Sequence, residues 1–553
     1  MTEHNEVHRN LSRRDLFKFG SVAAASVAAA GALASCAPQK ADSASGGSSG
    51  AAKGTTIAAG HGREGLPAFL AQPDPIKDIA ETKDFDVVVI GAGAAGVPAA
   101  LAAQEAGASV ALIQKENQAI SQGNSGSGID LSTSDPGDIA NLVSQLIKDS
   151  QHRPTRKLVE LWANNSGEAV KWVIEKAKEG GATVIDQGNV QHMPLIKKMG
   201  YNMNFVTSFF GPKPLTTGDG MRALATTAEK EGVQIFYSHE AKQLVKDSSG
   251  KVTGVIAHGK NGNVQFNAKK GVIVATGDYQ NNEEMSNYYQ PDLKNFTRKQ
   301  SNKTGDGHRM VIWAGGKMED IAHTKMLHDF DAGPASMCDM PFLAVKNDGT
   351  RFVNETVEMS LLNNYLRSEA DQGWYSQIFD ADYMTKAADW PGKLVDPEAL
   401  KVYMPEENVK REGVFEDLVR TFKADTLEEL AKKLEISDTA AFTASVKRYN
   451  QMVAAGKDED FGVPSKYLKT IDTPPFYGIH RWVRISAICS GVDINENHEC
   501  LTPEGEVIEN LYAIGNCAGH FYGGIDYPLT VFGLSLGRCY TEGYVIGRMV
   551  AKK

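Results

Sequence analysis

Three glycines, Gly91, Gly93 and Gly96, have the spacing with which a protein backbone binds a pyrophosphate. In a G-x-G-x-x-G turn the first glycine permits the bend, the second lets the backbone approach the phosphates, and the third lets a helix pack on a strand. The phosphates bind at the N-terminus of that helix, where N–H groups and the helix dipole favour anions. The motif predicts a bound dinucleotide; the alternative is a glycine-rich turn that binds nothing.

The residues around the turn predict the elements that must position it. Val87 to Ile90 form an apolar run that is typical of a strand in a parallel sheet covered on both faces. A helix follows, and then a second strand, SVALIQ. That strand is expected to end in an acidic residue that binds ribose hydroxyls, but Gln114 stands there, followed by Lys115 and Glu116. An amide still hydrogen-bonds a hydroxyl, without the help of a charge.

Later segments repeat the strand-and-turn pattern in a fixed order. A strand, turn and strand are predicted over residues 240–258, and a strand running into ATG over 269–279. A further strand meets a glycine turn in ENLYAIGNCAGH, and a final helix is expected from Gly533. This order resembles flavoproteins of the fumarate reductase and succinate dehydrogenase type, together with the related 3-ketosteroid Δ1-dehydrogenases.

The resemblance implies an α/β fold in which a Rossmann-like FAD-binding domain, a parallel sheet with a β-hairpin insertion, is interrupted by an α+β capping domain. The FAD domain would comprise residues 84–322 and 478–553, and the cap residues 323–477. In the succinate dehydrogenase relatives, a histidine near the segment after the second strand carries FAD covalently. No histidine lies between Arg63 and Gln151 in this sequence, so the FAD is expected to be non-covalent. The implied cofactor-binding residues are Gly91, Gly93, Ala94, Ala95, Gly96, Gln114, Lys115, Gln122, Gly123, Asn124, Ser125, Gly128, Ala241, Ala275, Thr276, Gly277, Asp306, Gly515, Asn516, Ser535 and Leu536.

The resemblance also implies catalytic residues, and the first two positions lie in the predicted cap. His323, in IAHT, matches the family histidine that touches the substrate's polar head, although a lone histidine is as often structural. GTRFVNE matches a family turn, and four residues beyond Glu355 fumarate reductases carry a proton-donating arginine and the steroid enzymes a tyrosine. That position is Met359 here, and a thioether does not transfer protons.

Three further family positions depart from the pattern. An upstream arginine aligns near Cys338, and the histidine before a Gly-Gly turn is replaced by Ser486 and Ala487. The arginine that clamps a dicarboxylate falls near Tyr527. Because arginine forks bind carboxylates through paired hydrogen bonds, fumarate and urocanate are poor candidate substrates.

Other residues are candidates for polarising the substrate and for supplying the proton. Tyr527-Pro528 resembles the turn with which steroid enzymes polarise a ketone, and packing under the cap is its alternative role. As proton donors, Tyr522 and Tyr279 rank level and Glu358 ranks behind them. A site without a dedicated acid would also suit a substrate that water protonates, or a non-alkene acceptor such as a sulfoxide. An apolar pocket, which could equally be cap packing, is suggested by Met337, Cys338, Met340, Phe342 and Met359.

The composition of the chain argues against several classes of protein. The formal net charge of −10 argues against a nucleic-acid-binding surface. The six cysteines form no CxxC pair, so neither a zinc cluster nor a covalent c-type haem is indicated. The four cysteines between Cys489 and Cys539 are expected to be buried thiols. EDLVRTFKADTLEELAKKLEIS in the cap is predicted to be amphipathic helix.

The first residues resemble a twin-arginine export signal, with Arg13 and Arg14 ahead of a short apolar run that ends in LASC. Residues 1–36 would be the signal, with Cys36 lipidated, and 37–83 a flexible tether. Because this route exports folded proteins, it predicts a cofactor inserted beforehand and a site at the outer face of the cytoplasmic membrane or in the periplasm. NAD(P)H is then an unsuitable electron donor.

These observations predict an exported FAD-dependent reductase of an activated C=C bond, in an enoate or enone, working in anaerobic respiration. Its electrons would come from a membrane-anchored multihaem cytochrome or another quinol-linked donor. The alternatives are a 3-ketosteroid Δ1-dehydrogenase-like enzyme, a reductase of a non-alkene acceptor, and a flavin-containing lipoprotein that binds a solute without catalysis.

Overall fold

The computed structural model describes residues 67–184, 196, 199–210, 218–320, 322–328, 340–390, 400–401, 403–405 and 421–553. The predicted signal, most of the predicted tether, Met337, Cys338 and the side chain of Met359 lie outside the described residues.

Sixteen strands are described. They are β1 (Ile79–Ile90), β2 (Val110–Ile113), β3 (Ser125–Ile129), β4 (Phe205–Phe209), β5 (Gln234–Phe236), β6 (Glu240–Lys246), β7 (Val252–Gly259), β8 (Gly262–Val274), β9 (Lys325–His328), β10 (Leu343–Val345), β11 (Trp374–Asp380), β12 (Thr421–Ala424), β13 (Phe476–Trp482), β14 (Arg484–Ile488), β15 (Glu499–Leu501) and β16 (Val507–Ala513).

The described α-helices are α1 (Gly96–Glu105), α2 (Pro136–Asp149), α3 (Arg156–Glu179), α4 (Asp219–Lys230), α5 (Glu283–Tyr289), α6 (Asp306–Trp313), α7 (Met359–Leu362), α8 (Tyr383–Ala388), α9 (Leu427–Lys433), α10 (Thr439–Ala455) and α11 (Leu534–Ala551). Among the described helices, none combines the length and the apolar character that crossing a bilayer requires.

The main sheet has eight strands, with the path β15-β16-β8-β1-β2-β5 and a hairpin of β6 and β7 attached to β8. The pairs β16–β8, β8–β1, β1–β2 and β2–β5 are parallel. The apolar end of β1, Val87 to Ile90, is buried between layers, as its composition predicts. The predicted parallel sheet with a hairpin insertion is confirmed.

The last helix closes this domain by packing on the first. α11 lies against α1, α3 and β3, and small residues let it approach closely. A Cβ atom on Gly543 would lie 2.4 Å from the Ala95 carbonyl oxygen, and one on Gly547 would lie 2.3 Å from that of Ala99. Because α1 and α11 come from distant parts of the chain, the domain is built from two segments.

A second sheet, β10-β11-β13-β12, is antiparallel. Its strands β10, β11 and β12 lie in the predicted cap, whereas most of β13 lies beyond the predicted cap boundary at residue 477. Leu430, Leu434, Phe442 and Val446 of the segments containing α9 and α10 form its core. The prediction of amphipathic helix over residues 416–437 is confirmed for Leu427–Lys433 and wrong for residues 421–424. Residues 421–424 form β12, which pairs with β13, and the helix begins only after Thr426, whose side chain caps it. Pairing with a neighbouring strand overrides local helix propensity.

One arginine fixes the GTRFVNE turn. Arg351 Nε and Nη2 donate to the two carboxylate oxygens of Glu355 at 2.8 and 2.7 Å. Nη1 and Nη2 donate to Asp458 at 2.9 and 2.8 Å. This doubly bidentate arrangement anchors the turn to the loop after α10, and so positions α7, which begins four residues beyond Glu355.

Candidate active site

The predicted phosphate turn has the geometry that its glycines require. Gly91 has φ +103°, and a Cβ atom there would lie 2.6 Å from the Ala275 carbonyl oxygen. A Cβ atom on Gly96 would lie 1.8 Å from the Gly91 carbonyl oxygen. The turn therefore presses against both the end of β8 and its own first residue, and leaves the N-terminus of α1 facing a cleft.

This cleft lies between the phosphate turn, the end of β2 and the segment that leads into α6. Eight of the predicted cofactor residues line it: Gly91, Gly93, Gln114, Lys115, Ala241, Ala275, Thr276 and Asp306. Other residues that line the cleft, and that no sequence motif marks, include His239, Glu240, Asn302 and Lys303.

The acidic group that the motif lacks at Gln114 is present in the same cleft on another element. Asp306, the first residue of α6, accepts a hydrogen bond from Lys115 Nζ at 2.9 Å. Burial acts to raise the pKa of Asp306, but Lys115, together with hydrogen bonds from Thr304 and Arg309, more than offsets this and holds that pKa below its usual range. An ionised carboxylate therefore faces the nucleotide cleft beside the Gln114 amide, and both suit ribose hydroxyls.

A buried cation lies where the cleft meets the turn after β8. The side chain of Lys303 lies under Gly277, where a Cβ atom would sit 3.0 Å from Nζ. Burial lowers its pKa, whereas the nearby carboxyl of Asp278 acts in the opposite direction. No local motif marks this lysine, so only the folded structure reveals it.

Five residues from four segments form a buried polar network beyond the cleft. Gln122 Nε2 donates to Asp278 Oδ2 (3.0 Å) and to the Ser486 carbonyl oxygen (2.7 Å). Asn516 Nδ2 donates to Gln122 Oε1 at 3.0 Å, and Gln280 Nε2 donates to the Ser486 carbonyl oxygen at 3.1 Å. Burial raises the pKa of Asp278. The network brings together the predicted cofactor segments at 122 and 516.

Several buried polar atoms near this network have no hydrogen-bond partner among the described residues. They are Asn516 Oδ1, Gln280 Oε1 and Asn281 Nδ2. Buried polar atoms in folded proteins are nearly always hydrogen-bonded. A ligand that carries both donors and acceptors, as the polar edge of a flavin does, fits this set. The residues present thus fit FAD, with its nucleotide in the cleft and its ring near the network.

The N-terminus of α11 closes the same end. Gly533 precedes this helix with φ +75°, and its carbonyl oxygen accepts from Ser127 N at 3.0 Å. Ser535 and Leu536 therefore lie in the first turn, where the helix dipole would stabilise an anionic reduced flavin. Gly123 lies near Leu536, whereas Gly128 packs on the α3 backbone at Ser166.

Tyr279 and His323 lie together, but inside the core. The Tyr279 hydroxyl donates to His323 Nδ1 at 2.5 Å, and His323 Nε2 donates to the Glu319 carbonyl oxygen at 3.2 Å. The His323 ring stacks on Tyr289 at 4.6 Å. Burial raises the pKa of Tyr279 well above its usual value. Both nitrogens of His323 thus have protein partners, an arrangement typical of a structural histidine; a substrate role for either residue stays a prediction.

Tyr522 and Tyr527 form a second buried pair, with ring centroids 5.0 Å apart. Burial raises the pKa of both phenols, so they stay protonated and can donate. The Tyr522 hydroxyl meets no partner with hydrogen-bond geometry in the described part of the chain. Asn363, just after α7, donates to Asp526 Oδ1 at 3.1 Å, so the cap segment that carries Met359 contacts the loop of Tyr527. Glu358 is exposed as the residue before α7.

The loop that positions Tyr522 contains a titratable pair. His520 Nε2 lies 2.6 Å from Asp493 Oδ1. Burial disfavours the charged imidazole, but Asp493 and the charge of Glu319 more than offset this and raise the pKa of His520 above 6.5. A raised folded-state pKa gives stability that is complete below the unfolded value and is lost as pH rises through the folded value.

We therefore expect the free energy of unfolding to fall as pH rises above about 6.5. Urea unfolding of the wild type and of His520→Asn at several pH values checks this. Asparagine is the suitable replacement because His520 has φ +63°, which asparagine tolerates. A wild type and variant with parallel pH profiles would refute the role of the pair.

Comparison with known proteins identifies the class. Residues 86–527 match the model of the FAD binding domain family, so the chain belongs to this family. It is an FAD-dependent oxidoreductase, and the predicted cofactor is confirmed.

Three individual relatives are similar to this chain over most of their own length. The chain is 28% identical over 514 residues to a vinyl phenol reductase of Lactiplantibacillus plantarum, covering 86% of this chain and 98% of that protein. It is 27% identical to a digoxin reductase of Eggerthella lenta, covering 96% and 97%. It is also 27% identical to a probable fumarate reductase of Shewanella frigidimarina, covering 82% and 77%.

Solved structures share the fold. The open conformation of a flavocytochrome c3 fumarate reductase superposes with a TM-score of 0.65 at 24% identity, covering 89% of this chain and 85% of that one. A 3-ketosteroid Δ1-dehydrogenase from Sterolibacterium denitrificans gives 0.62 at 18% identity, covering 85% and 99%. The predicted resemblance to these two groups is confirmed.

Proposed function

We propose that this enzyme reduces an activated C=C bond in a small conjugated acceptor, such as an enoate, an enone or a vinyl phenol, and that fumarate is not its substrate. Reduced FAD supplies the hydride, from N5. The observation that carries the proposal is the buried pair of Tyr522 and Tyr527, which lies where a carboxylate-clamping arginine is expected. Neutral phenols donate well to one carbonyl or phenol oxygen and match a dicarboxylate poorly.

Two cations near the loop of Tyr527 support the same conclusion: Tyr527 N donates to the Lys325 carbonyl oxygen at 2.9 Å, and Arg367 lies beside Asp526. Lys325 Nζ lies 2.6 Å from Asp292 Oδ2. Arg367 also pairs with Asp292, and its Nη2 lies 3.7 Å from Asp526 Oδ1. These two cations are thus already matched by two carboxylates, so neither offers an uncompensated charge to a dianionic substrate.

Two of the three relatives have names that agree with this substrate class, whereas the third is a probable fumarate reductase, of which 77% is covered. The vinyl phenol reductase and the digoxin reductase are aligned over nearly their whole length. Of the alternatives, the steroid dehydrogenase-like reaction is favoured by Tyr527-Pro528, and it would run the same site in the opposite direction.

The proposal extends to the electron source. The N-terminal sequence supports export to the outer face of the membrane with lipidated Cys36 as anchor, and a quinol-linked multihaem cytochrome would then supply electrons in anaerobic respiration. Electron transfer from membrane vesicles to the purified flavoprotein tests this part.

Anaerobic reoxidation of the reduced protein, followed at the flavin absorbance, tests the reaction. We expect 4-vinylphenol, a cinnamate or a steroid enone to restore the colour, and fumarate and methionine sulfoxide to fail. Tyr527→Phe should slow the productive acceptor by roughly 100-fold, as the loss of one polarising donor does. The matched control is Tyr449→Phe, a buried tyrosine in the cap core. Rapid turnover of fumarate would overturn the proposal.

A further inference from the structure

Ser486 lies at the flavin-ring end of the site. Its carbonyl oxygen accepts hydrogen bonds from Gln122 and Gln280, at 2.7 and 3.1 Å. Both of these amides also contact the carboxylate of Asp278, which accepts from Ile488 N as well. The backbone of Ser486 is therefore fixed against the segments that form the cofactor site.

The side chain of Ser486 joins a line of polar groups. Ser486 Oγ lies 2.8 Å from His328 Nε2, and His328 Nδ1 lies 3.3 Å from Lys299 Nζ. Backbone contacts hold the three residues in place: Arg484 of β14 pairs with His328 of β9, and Lys299 N donates to the Ile485 carbonyl oxygen at 3.1 Å. Three separate segments thus bring the three side chains into one row.

The chemistry of these groups fixes which atom donates and which accepts in each hydrogen bond of the row. An ammonium group only donates, so Lys299 donates to Nδ1 of His328. The neutral imidazole then carries its hydrogen on Nε2 and donates it to Ser486 Oγ. The serine hydroxyl hydrogen consequently points away from the histidine, and it can be given to a group in the site.

We propose that Ser486 protonates the substrate and that His328 and Lys299 resupply it, in place of the donor that Met359 cannot be. This inference rests on the proposed function. One alkene carbon receives hydride, and the π electrons move to its neighbour. The Ser486 O–H bond breaks as a C–H bond forms at that neighbour, His328 Nε2–H restores the serine, and Lys299 restores Nδ1.

The two outer members of the row are more exposed than Ser486, as such a relay requires. Lys299 and His328 are half-buried, whereas Ser486 is buried. Lys299 follows directly on residues 294–298, which line an open groove of about 780 Å³. The partial exposure of Lys299 itself lets solvent return a proton to it, while the buried Ser486 keeps the reacting end dry.

The first test compares single-turnover reoxidation of the reduced holoenzyme by 4-vinylphenol and by ferricyanide, which needs no proton on carbon. We expect Ser486→Ala and His328→Gln to slow 4-vinylphenol by roughly 100-fold, as the loss of a general acid does, and to leave ferricyanide unaffected. The double variant should be no slower than either single one, and Ser486→Thr should recover most of the rate. His258→Gln, an exposed histidine bonded to Asn263, is the control.

The second test determines directly which nitrogen of His328 carries the hydrogen. Nitrogen NMR of histidine-labelled holoenzyme, with His328 assigned from His328→Gln, should show the tautomer that is protonated on Nε2, and Ser486→Ala should shift that signal. A His328 protonated on Nδ1, or variants that match the wild type with 4-vinylphenol, would refute the relay alone. A wild type that no alkene reoxidises, although ferricyanide does, would refute the proposed function and the relay with it.

Discussion

Replacing Gly96 with alanine is expected to abolish FAD binding. A Cβ atom at this position would lie 1.8 Å from the Gly91 carbonyl oxygen and 3.3 Å from the Ala275 Cβ atom. The nearest neighbour is backbone, so the clash is relieved only if α1 moves away from β1 and β8. Such a shift removes the N-terminus of α1 from the phosphates that it binds.

The ratio of flavin to protein absorbance in the purified variant measures this effect. We expect a loss of at least about tenfold in bound FAD, since displacement of several phosphate contacts exceeds about 1.4 kcal/mol. Gly107→Ala is the matched control at the other end of α1. Gly107 has φ +90° but nothing within 4 Å of a new Cβ atom, so this variant should lose only about 1 kcal/mol of stability and keep its flavin. Equal flavin content in both variants would contradict the prediction.

Replacing Arg538 with methionine should lower the free energy of unfolding by about 3–5 kcal/mol, because one partner of a buried ion pair is removed. Arg538 is fully buried, with Nε 2.5 Å from Glu542 Oε1. Its Nη2 donates to the carbonyl oxygens of Gly515 and Ala518, at 3.1 and 3.0 Å. Glu542 would remain buried without a counter-charge, and the turn that carries Asn516 would lose an anchor.

Urea unfolding and flavin retention measure the effect of this substitution. Arg548→Met, on the same helix, is the control. Arg548 pairs with Glu105 at 3.0 Å, but its side chain is 32% exposed, so its loss should cost less than about 1 kcal/mol. Glu542→Gln should restore part of the stability of Arg538→Met, since it removes the unpaired charge. No recovery in that double variant would mean that packing, rather than charge, dominates.

The parts of the site that are encoded by adjacent residues could be predicted from the sequence. The phosphate turn, the flanking strand and helix and the final helix each depend on spacing within one short stretch, and glycine marks the positions where a side chain cannot fit. The same applies to the GTRFVNE turn, although the role of Arg351 in joining Glu355 to Asp458 needs the folded chain.

The parts that depend on distant segments could not be predicted. Lys303 and His328 lie in stretches without a motif, and only tertiary structure brings them to Asp278 and Ser486. His323 and Tyr279 were found by resemblance, but the sequence does not show that they bond to each other. A carboxylate, expected at Gln114, is present in the same cleft on Asp306, which is 192 residues further along the chain and which no pattern near Gln114 indicates.

The way in which α11 and β16 complete the main sheet also bears on how the protein is made. β16 pairs with β8, and α11 packs on α1, so contacts around the nucleotide join residues synthesised early to residues synthesised last. Domains normally begin to fold from the N-terminal side while synthesis continues. Here the ribosome must finish residue 551 before the nucleotide site can close. Loading with FAD is therefore a post-translational event, and any nascent chain that stalls in the cap region remains a flavin-free species that is exposed to proteases and chaperones.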